Sequence, residues 1–169
     1  MATAPPAIYS NALDEGPILM ADTIILGSDH AGFDLKEKVK KALDRLGVPY
    51  EDVGTHSTDS VDYPDYAHRV AEAVEKGRYA RGIVVCGTGL GVSMAANRHP
   101  GVRAAVAYDE ETARLSREHN DANVLALGGR SLDHALAERI LEVWLKTPFA
   151  GGRHARRVAK IELPKTEPR

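Results

Sequence analysis

The sequence predicts an α/β fold in which a parallel sheet of five strands is covered by helices on both faces. Short apolar runs alternate with longer amphipathic stretches along most of the chain. The runs are brief and rich in β-branched residues, which is typical of strands buried on both faces. Regular alternation of strand and helix favours a parallel sheet.

The individual elements follow from these patterns. Strands are predicted at residues 23–27, 49–53, 82–86, 103–107 and 124–127, and helices at residues 34–46, 66–76, 91–97, 110–118, 132–145 and 153–161. In the first helix the apolar side chains fall at helical spacing, and Gly47 follows as a typical stop signal. The 169 residues correspond to about one domain.

Both ends of the chain differ from the middle. Residues 1–21 contain three prolines and show no sustained hydrophobic period, so they predict a flexible extension. Residues 164–169 hold two prolines and predict a short tail. A single folded domain is therefore expected over residues 22–163.

Composition excludes several function classes. The formal net charge is −2, so no global basic field favours nucleic acid. One cysteine excludes an intramolecular disulfide and a multi-cysteine metal site. No window approaches the roughly 20 apolar residues of a membrane span, and the N-terminus does not resemble a secretory signal. We expect a reducing, cytoplasmic compartment, with no nucleic-acid or membrane partner.

Ligand sites in parallel sheets lie beyond the carboxyl ends of the strands, which directs attention to three loops, at residues 28–33, 87–91 and 119–123. The first follows a strand and opens a helix with the segment GSDHAG, residues 27–32. Asp29 stands at the middle glycine of a dinucleotide fingerprint and would repel pyrophosphate. Asp29 and His30 suit binding of substrate hydroxyls or positioning of a proton carrier. The alternative is that Asp29 caps the helix and His30 packs.

The second loop carries the segment CGTGLG, residues 86–91, at the end of a buried strand. Alternate glycines let successive N–H groups turn inward as an anion-binding nest, and the following helix adds positive potential. Such a nest stabilises an oxyanion and favours the thiolate of Cys86 as a base or nucleophile. The alternative is a cysteine that merely fills space in the core.

The third loop and the C-terminal region carry imidazoles and guanidiniums. His119 either exchanges protons near neutral pH or is a favourable cation at a helix end. Arg130 either contacts an anion or lies on the shoulder of a helix. Arg153 and Arg157 share a helix face beside His154, at a helix N-terminus where positive charge is unfavourable without an anion. Phosphate suits that face; a basic patch or a subunit salt bridge is the alternative.

The remaining polar clusters are weaker indications of a functional site. Residues 58–66 contain three carboxylates without the spacing of a calcium loop, so a polar loop is expected, with Tyr63 bordering a pocket. The other histidines show no metal-ligand spacing, and we expect surface or packing roles for His56, His68, His99 and His134. No metal and no cofactor is expected.

Five motifs together resemble the type B ribose-5-phosphate isomerases, in their order and spacing: GSDHAG at 27–32, DYP at 62–64, CGTGLG at 86–91, HNDANV at 119–124 and GGRH at 151–154. The resemblance runs from about residue 22 to residue 163. It implies a Rossmann-like, three-layer α/β/α sandwich that forms a homodimer or homotetramer with sites at the subunit interface. It also implies a metal-free aldose–ketose interconversion of sugar phosphates through a cis-enediolate.

The resemblance further assigns roles. Cys86 matches the base, although some members use a glutamate elsewhere, and Glu75 lies nearby in sequence. His119 matches the acid that opens the furanose ring. The nest that holds the enediolate oxygen matches Gly87, Thr88, Gly89, Leu90 and Gly91. Sugar-binding positions match Asp29, His30, Tyr63 and Asn120. The phosphate set, part of it from the partner subunit, matches Arg130, Arg153, His154 and Arg157.

The leading prediction is an isomerase of ribose 5-phosphate and ribulose 5-phosphate in pentose phosphate metabolism. Galactose 6-phosphate, allose 6-phosphate or a tetrose phosphate are rival substrates, because the length of the pocket is not visible in the sequence. A non-catalytic subunit that binds a sugar phosphate is the alternative from another class.

Overall fold

Five parallel strands form one sheet at the centre of the molecule, and the computed structural model describes residues 20–163. The strands are β1 (Met20–Ser28), β2 (Tyr50–Asp52), β3 (Tyr79–Cys86), β4 (Ala104–Val106) and β5 (Val124–Gly128). Their order across the sheet is β2-β1-β3-β5-β4, with every neighbouring pair parallel. The predicted parallel sheet is confirmed.

Helices cover both faces of this sheet. They are α1 (Phe33–Leu46), α2 (Tyr63–Glu75), α3 (Leu90–Ala96), α4 (Glu110–Glu118), α5 (His134–Lys146) and α6 (Arg153–Val158). Side chains of α1 and α5 share one buried core cluster, and those of α2 and α3 share the other. The three-layer α/β/α arrangement is confirmed. None of the helices in this part of the chain is long and apolar enough to cross a membrane.

Local sequence signals set the ends of several helices. Gly47 ends α1 with a φ of +66°, a left-handed conformation that favours glycine. Asp109 begins α4 with a capping box that it shares with Thr112, and the Asp133 carboxylate accepts two backbone N–H groups at the start of α5. The predicted bounds of α4 agree with the structure at both ends.

Four predicted boundaries were wrong by three residues. The third strand begins at Tyr79 rather than at residue 82. The first strand begins at Met20, inside the predicted extension, because it runs on to pair with Tyr79. The second helix begins at Tyr63, three residues early, because proline is tolerated in the first turn and Pro64 occupies it. The last helix ends at Val158 rather than at residue 161. The remaining expectations for residues 1–19 and 164–169 lie outside the described residues.

One predicted loop lies at the opposite edge of the sheet. The loops at 28–33 and 87–91 follow strands and sit at the carboxyl edge, as expected. The loop at 119–123 instead leads into β5, so it lies at the amino edge, where the Gly82 N–H donates to the Asn123 carbonyl. The expectation that all three loops share the carboxyl edge is wrong.

Candidate active site

The carboxyl edge presents a buried cysteine beneath a glycine turn. Cys86 ends β3 and is 5% exposed. Gly89 has a φ of +81° and donates its N–H to Cys86 Sγ at 3.2 Å. Leu90 N–H donates to Thr88 Oγ1 at 3.3 Å, which shapes the turn that enters α3. One main-chain donor of the predicted nest, the Gly89 N–H, therefore contacts the sulfur.

Close backbone packing explains why glycines occupy the neighbouring loops. A Cβ on Gly129 would lie 2.7 Å from the Ala31 carbonyl oxygen, and one on Gly128 would lie 2.8 Å from the Thr88 carbonyl. Both contacts are shorter than side chains tolerate, so only glycine lets the three loops meet. The Gly129 N–H also donates to the Cys86 carbonyl at 2.7 Å, which fixes the end of β3.

The first loop places a carboxylate and an imidazole beside this nest. Asp29 is 6% exposed, and its Oδ1 accepts the Gly32 N–H at 2.9 Å. Gly32 is the N-cap residue of α1, which has no side-chain capping hydrogen bond, so the alternative that Asp29 caps this helix is wrong. The Asp29 carboxylate instead forms a hydrogen bond within the loop. His30 Nδ1 lies 3.2 Å from both the nitrogen and the carbonyl oxygen of Val61, so the loop before α2 holds the ring in place.

Tyr63 and Arg130 border the same space. The Tyr63 ring is packed against Gly91, where a Cβ would come within 2.7 Å of the ring. Arg130 N–H donates to the Gly87 carbonyl at 2.9 Å, and the Arg130 side chain passes close to Gly87. We call the set at the carboxyl edge the cysteine half-site; it comprises Asp29, His30, Tyr63, Cys86, residues 87–91 and Arg130.

A second cluster lies at the amino edge. His119 ends α4, and its ring stacks on His154 with centroids 4.2 Å apart and planes 8° apart. The Ala150 N–H donates to the Glu118 carbonyl at 3.0 Å, which ties the segment before α6 to the end of α4. We call this set the histidine half-site; it comprises His119, Asn120, Arg153, His154 and Arg157.

Positive charge dominates the histidine half-site. Arg153 and Arg157 lie one turn apart on α6 and are exposed. Burial, and then the neighbouring His119, Arg153 and Arg157, hold the pKa of His154 below its ordinary value. His154 is therefore neutral at pH 7, while both guanidiniums stay charged. An anion is the ligand that this arrangement fits.

The two half-sites do not meet within one chain. The strand register pairs Gly82 with Val124 and Cys86 with Gly128, so the cysteine lies at one edge of the sheet and residues 119–123 at the other. Four residues of parallel strand separate the Gly82–Val124 pair from the Cys86–Gly128 pair, a distance of about 13 Å. The structure brings together the residues within each half-site, but it leaves Cys86 remote from His119.

An apolar groove adjoins the histidine half-site, and an apolar ridge adjoins the cysteine half-site. The groove has a volume of about 1510 Å³ and is lined by Asn120, by the segment between α3 and β4, and by Ile161 and Leu163. The ridge is formed by Leu90 and Met94 on α3, which are 53% and 67% exposed.

Sequence analysis missed a buried ion pair beneath the first loop. Lys36 is fully buried, and its Nζ lies 2.5 Å from Asp52 Oδ2. Burial tends to raise the pKa of Asp52, but hydrogen bonds from Lys36, Lys40 and the Gly54 N–H outweigh it and hold that pKa below its ordinary value. The spacing of Lys36, three residues before Val39 and seven before Leu43, was the signal, since it places Lys36 on the apolar stripe.

Glu75 and two histidines form a separate surface cluster. His99 Nδ1 lies 2.6 Å from Glu75 Oε2, and His99 Nε2 lies 2.9 Å from His68 Nδ1. Glu75 ends α2, at the opposite edge of the sheet from Cys86. Within residues 20–163, no group of three His, Cys, Asp or Glu side chains is arranged to hold a metal ion.

The fold and the two half-sites define an α/β protein suited to proton transfer on a small anionic substrate. The chain belongs to the ribose/galactose isomerase family, whose model matches residues 24–161. It is 47% identical over 138 residues to ribose-5-phosphate isomerase B of Escherichia coli (strain K12), covering 82% of this chain and 93% of that protein.

Solved structures agree with this assignment. The Clostridium thermocellum ribose-5-phosphate isomerase B superposes with a TM-score of 0.81 at 55% identity, over 82% of this chain and 94% of that one. The Mycoplasma genitalium ribose-5-phosphate isomerase B, solved with bound ribulose-5-phosphate, superposes with a TM-score of 0.80 at 41% identity, over 85% and 95% of the two chains.

Proposed function

We propose that this protein interconverts D-ribose 5-phosphate and D-ribulose 5-phosphate through a cis-enediolate. The observation that carries the proposal is the Cys86 sulfur held at the Gly89 N–H, at the entry to α3. Family membership supports the reaction type, and the Mycoplasma genitalium relative binds the ketose. We also propose a cytoplasmic location, because sugar phosphates are charged metabolites and the lone cysteine suits a reducing compartment.

Proton transfer between the two carbons is the step assigned to Cys86. A C–H bond next to a carbonyl is a weak acid, so the developing enediolate must be stabilised as the thiolate removes the proton. We assign the stabilisation of that oxygen to the main-chain donors of residues 87–91, with Thr88 in their turn. One such donor is worth roughly 3–4 kcal/mol of transition-state stabilisation.

The histidine half-site supplies ring opening and phosphate binding. His119 acts as the acid that opens the furanose ring. The neutral His154 stacked on it adds no second positive charge beside that acid. Guanidiniums bind phosphate with paired hydrogen bonds, a role assigned to Arg153 and Arg157 here and to Arg130 of the cysteine half-site. Asp29, His30, Tyr63 and Asn120 contact the sugar. The phosphate then holds the reacting carbons in place over Cys86.

Two copies of the chain complete each site. The cysteine and histidine half-sites lie at opposite edges of one protomer, whereas a partner related by a twofold axis can bring its histidine half-site to Cys86. The apolar ridge of Leu90 and Met94 adjoins one half-site and the apolar groove adjoins the other. Seating each ridge in the partner's groove forms two equivalent sites. A homodimer is the smallest such assembly, and a homotetramer contains it twice.

A direct aldose–ketose assay tests the function. Ribose 5-phosphate, galactose 6-phosphate, allose 6-phosphate and erythrose 4-phosphate are compared by kcat/KM in the presence of a chelator. We expect the highest value for ribose 5-phosphate, with activity that survives chelation because only proton transfers are needed. A higher value for another sugar would reassign the substrate. Binding of ribose 5-phosphate by wild-type protein without any conversion would favour the non-catalytic subunit.

A further inference from the structure

We infer that Asp121, which forms ion pairs with Arg103 and Arg117, is a positioning residue for His119 and Asn120. We call these three side chains the Asp121 clamp. The inference deepens the proposed function and rests on it for the role of His119. Asp121 follows directly after the two residues that the proposal places on substrate.

The backbone at Asp121 is held in an unfavourable conformation. Its φ is +47°, and within residues 20–163 it is the only residue other than glycine with a positive φ. Aspartate tolerates the left-handed region better than most side chains, but the conformation still costs free energy and persists only where surrounding contacts impose it. The contacts that impose it here come from two arginines.

Each arginine holds one carboxylate oxygen and a nearby carbonyl. Arg117 Nη1 donates to Asp121 Oδ1 at 2.9 Å and to the Ala122 carbonyl at 2.7 Å. Arg103 Nη2 donates to Asp121 Oδ2 at 3.0 Å, and its Nε donates to the Asp121 carbonyl at 2.9 Å. Both arginine side chains are less than one-fifth exposed, so these pairs are partly shielded from solvent.

The clamp is anchored on two separate elements. Arg117 belongs to α4, and its guanidinium lies 5.8 Å from the ring of the fully buried Trp144 on α5. Arg103 directly precedes β4, where its N–H donates to Asn123 Oδ1 at 2.7 Å. The carboxylate of Asp121 therefore joins the end of α4 to the edge strand, across the loop that carries His119.

The clamp also closes the segment that it positions. The Asp121 N–H donates to the Arg117 carbonyl at 3.0 Å, so His119 and Asn120 lie between two residues that are joined by backbone and side chain alike. Asn120 is exposed and lines the groove into which the proposal seats a partner. The backbone of both residues is therefore held between Arg117 and Asp121. Misplacing a catalytic group by about 1 Å costs about 100-fold in rate.

The test compares Asp121→Gly with Asp109→Ala. Glycine accepts the left-handed backbone, so Asp121→Gly removes the clamp without adding strain. Asp109 caps the other end of α4, where its carboxylate accepts the Thr112 N–H at 2.6 Å, so Asp109→Ala weakens the same helix and leaves the clamp intact. For ribose 5-phosphate we expect Asp121→Gly to lower kcat about 10- to 100-fold with little change in KM, and Asp109→Ala to retain it.

A double-mutant cycle separates positioning from a general loss of structure. In a His119→Ala background, Asp121→Gly should lower kcat little further, because the group that it positions is already gone. The inference would be overturned if Asp121→Gly lowered kcat by the same factor in both backgrounds. It would also be overturned by a wild-type kcat for Asp121→Gly, or by an equal decrease in kcat for Asp109→Ala.

The stacked imidazoles give a readout that does not depend on turnover. In the NMR spectrum, Asp121→Gly should remove the ring-current shifts of the His119 and His154 C–H protons, and Asp109→Ala should keep them. Retained shifts in Asp121→Gly would contradict the clamp. Wild-type protein that fails to convert ribose 5-phosphate would refute the proposed function alone, since the spectra would still decide whether Asp121 positions His119.

Discussion

Truncating Met94 should weaken self-association by an amount that follows from its exposure. Met94 is 67% exposed in the protomer, and its burial in the partner's groove is what the proposed dimer requires. Complete burial of a methionine side chain is worth about 1.5–3 kcal/mol, so two-thirds of it contributes about 1–2 kcal/mol. A twofold axis buries two copies, so Met94→Ala should cost about 2–4 kcal/mol per dimer.

Sedimentation equilibrium measures this loss directly. The dissociation constant should rise about 30- to 700-fold, and activity should fall on dilution at higher protein concentrations than for wild type. The folded protomer should be unaffected, because alanine is a good helix former and the site is exposed. Leu46→Ala is the matched control, since Leu46 is 36% exposed at the end of α1 and does not line the groove. Equal dissociation constants for Met94→Ala and wild type would refute this docking geometry.

Two further substitutions test the nest and the buried ion pair. Gly89→Ala places a side chain at a φ of +81° and 3.0 Å from the Leu127 carbonyl carbon, so it should cost about 1–3 kcal/mol of unfolding free energy in urea and also abolish most activity. Gly77→Ala, at a φ of +68° in open space, should lose stability through the same backbone strain and keep the activity; a Gly89→Ala enzyme as active as Gly77→Ala would contradict the nest. Asp52→Asn removes the nearest carboxylate from the buried Lys36 ammonium and leaves it only Glu37 at 3.6 Å, so it should destabilise the protein by up to about 3–5 kcal/mol at pH 7. The pKa of Asp52 is lowered in the folded state, so its contribution to the free energy of unfolding is complete above the ordinary pKa of 3.8 and is lost as pH falls through the folded pKa. The difference in unfolding free energy between wild type and Asp52→Asn should therefore narrow in acid. A difference that stays constant from pH 7 to pH 2 would contradict this.

Local sequence signals predicted the elements and the contents of the cysteine half-site. Strand–helix alternation is encoded by periodicity within short windows, and Cys86 with its glycines is contiguous in the chain. The capping box at Asp109 explains why α4 was bounded correctly at its start. These features need no knowledge of how distant segments pack.

Features that depend on tertiary geometry were harder to predict. The loop at 119–123 lies at the amino edge because it precedes β5, and its own polar residues do not indicate that direction. Asp52 is 16 residues from Lys36, and Arg103 is 18 residues from Asp121, so a single helical pattern does not reveal these two pairs. The sequence indicates the left-handed backbone at Asp121 only weakly, through an aspartate shortly after the end of a helix.

Mixing two inactive variants tests most directly whether Cys86 of one copy works with His119 of another. Cys86→Ala and His119→Ala are each expected to lose most activity. After subunit exchange in equal amounts, half of the dimers are mixed and each mixed dimer holds one intact site of two, so about a quarter of wild-type activity should return. Activity no higher than the average of the separate variants would contradict the shared site.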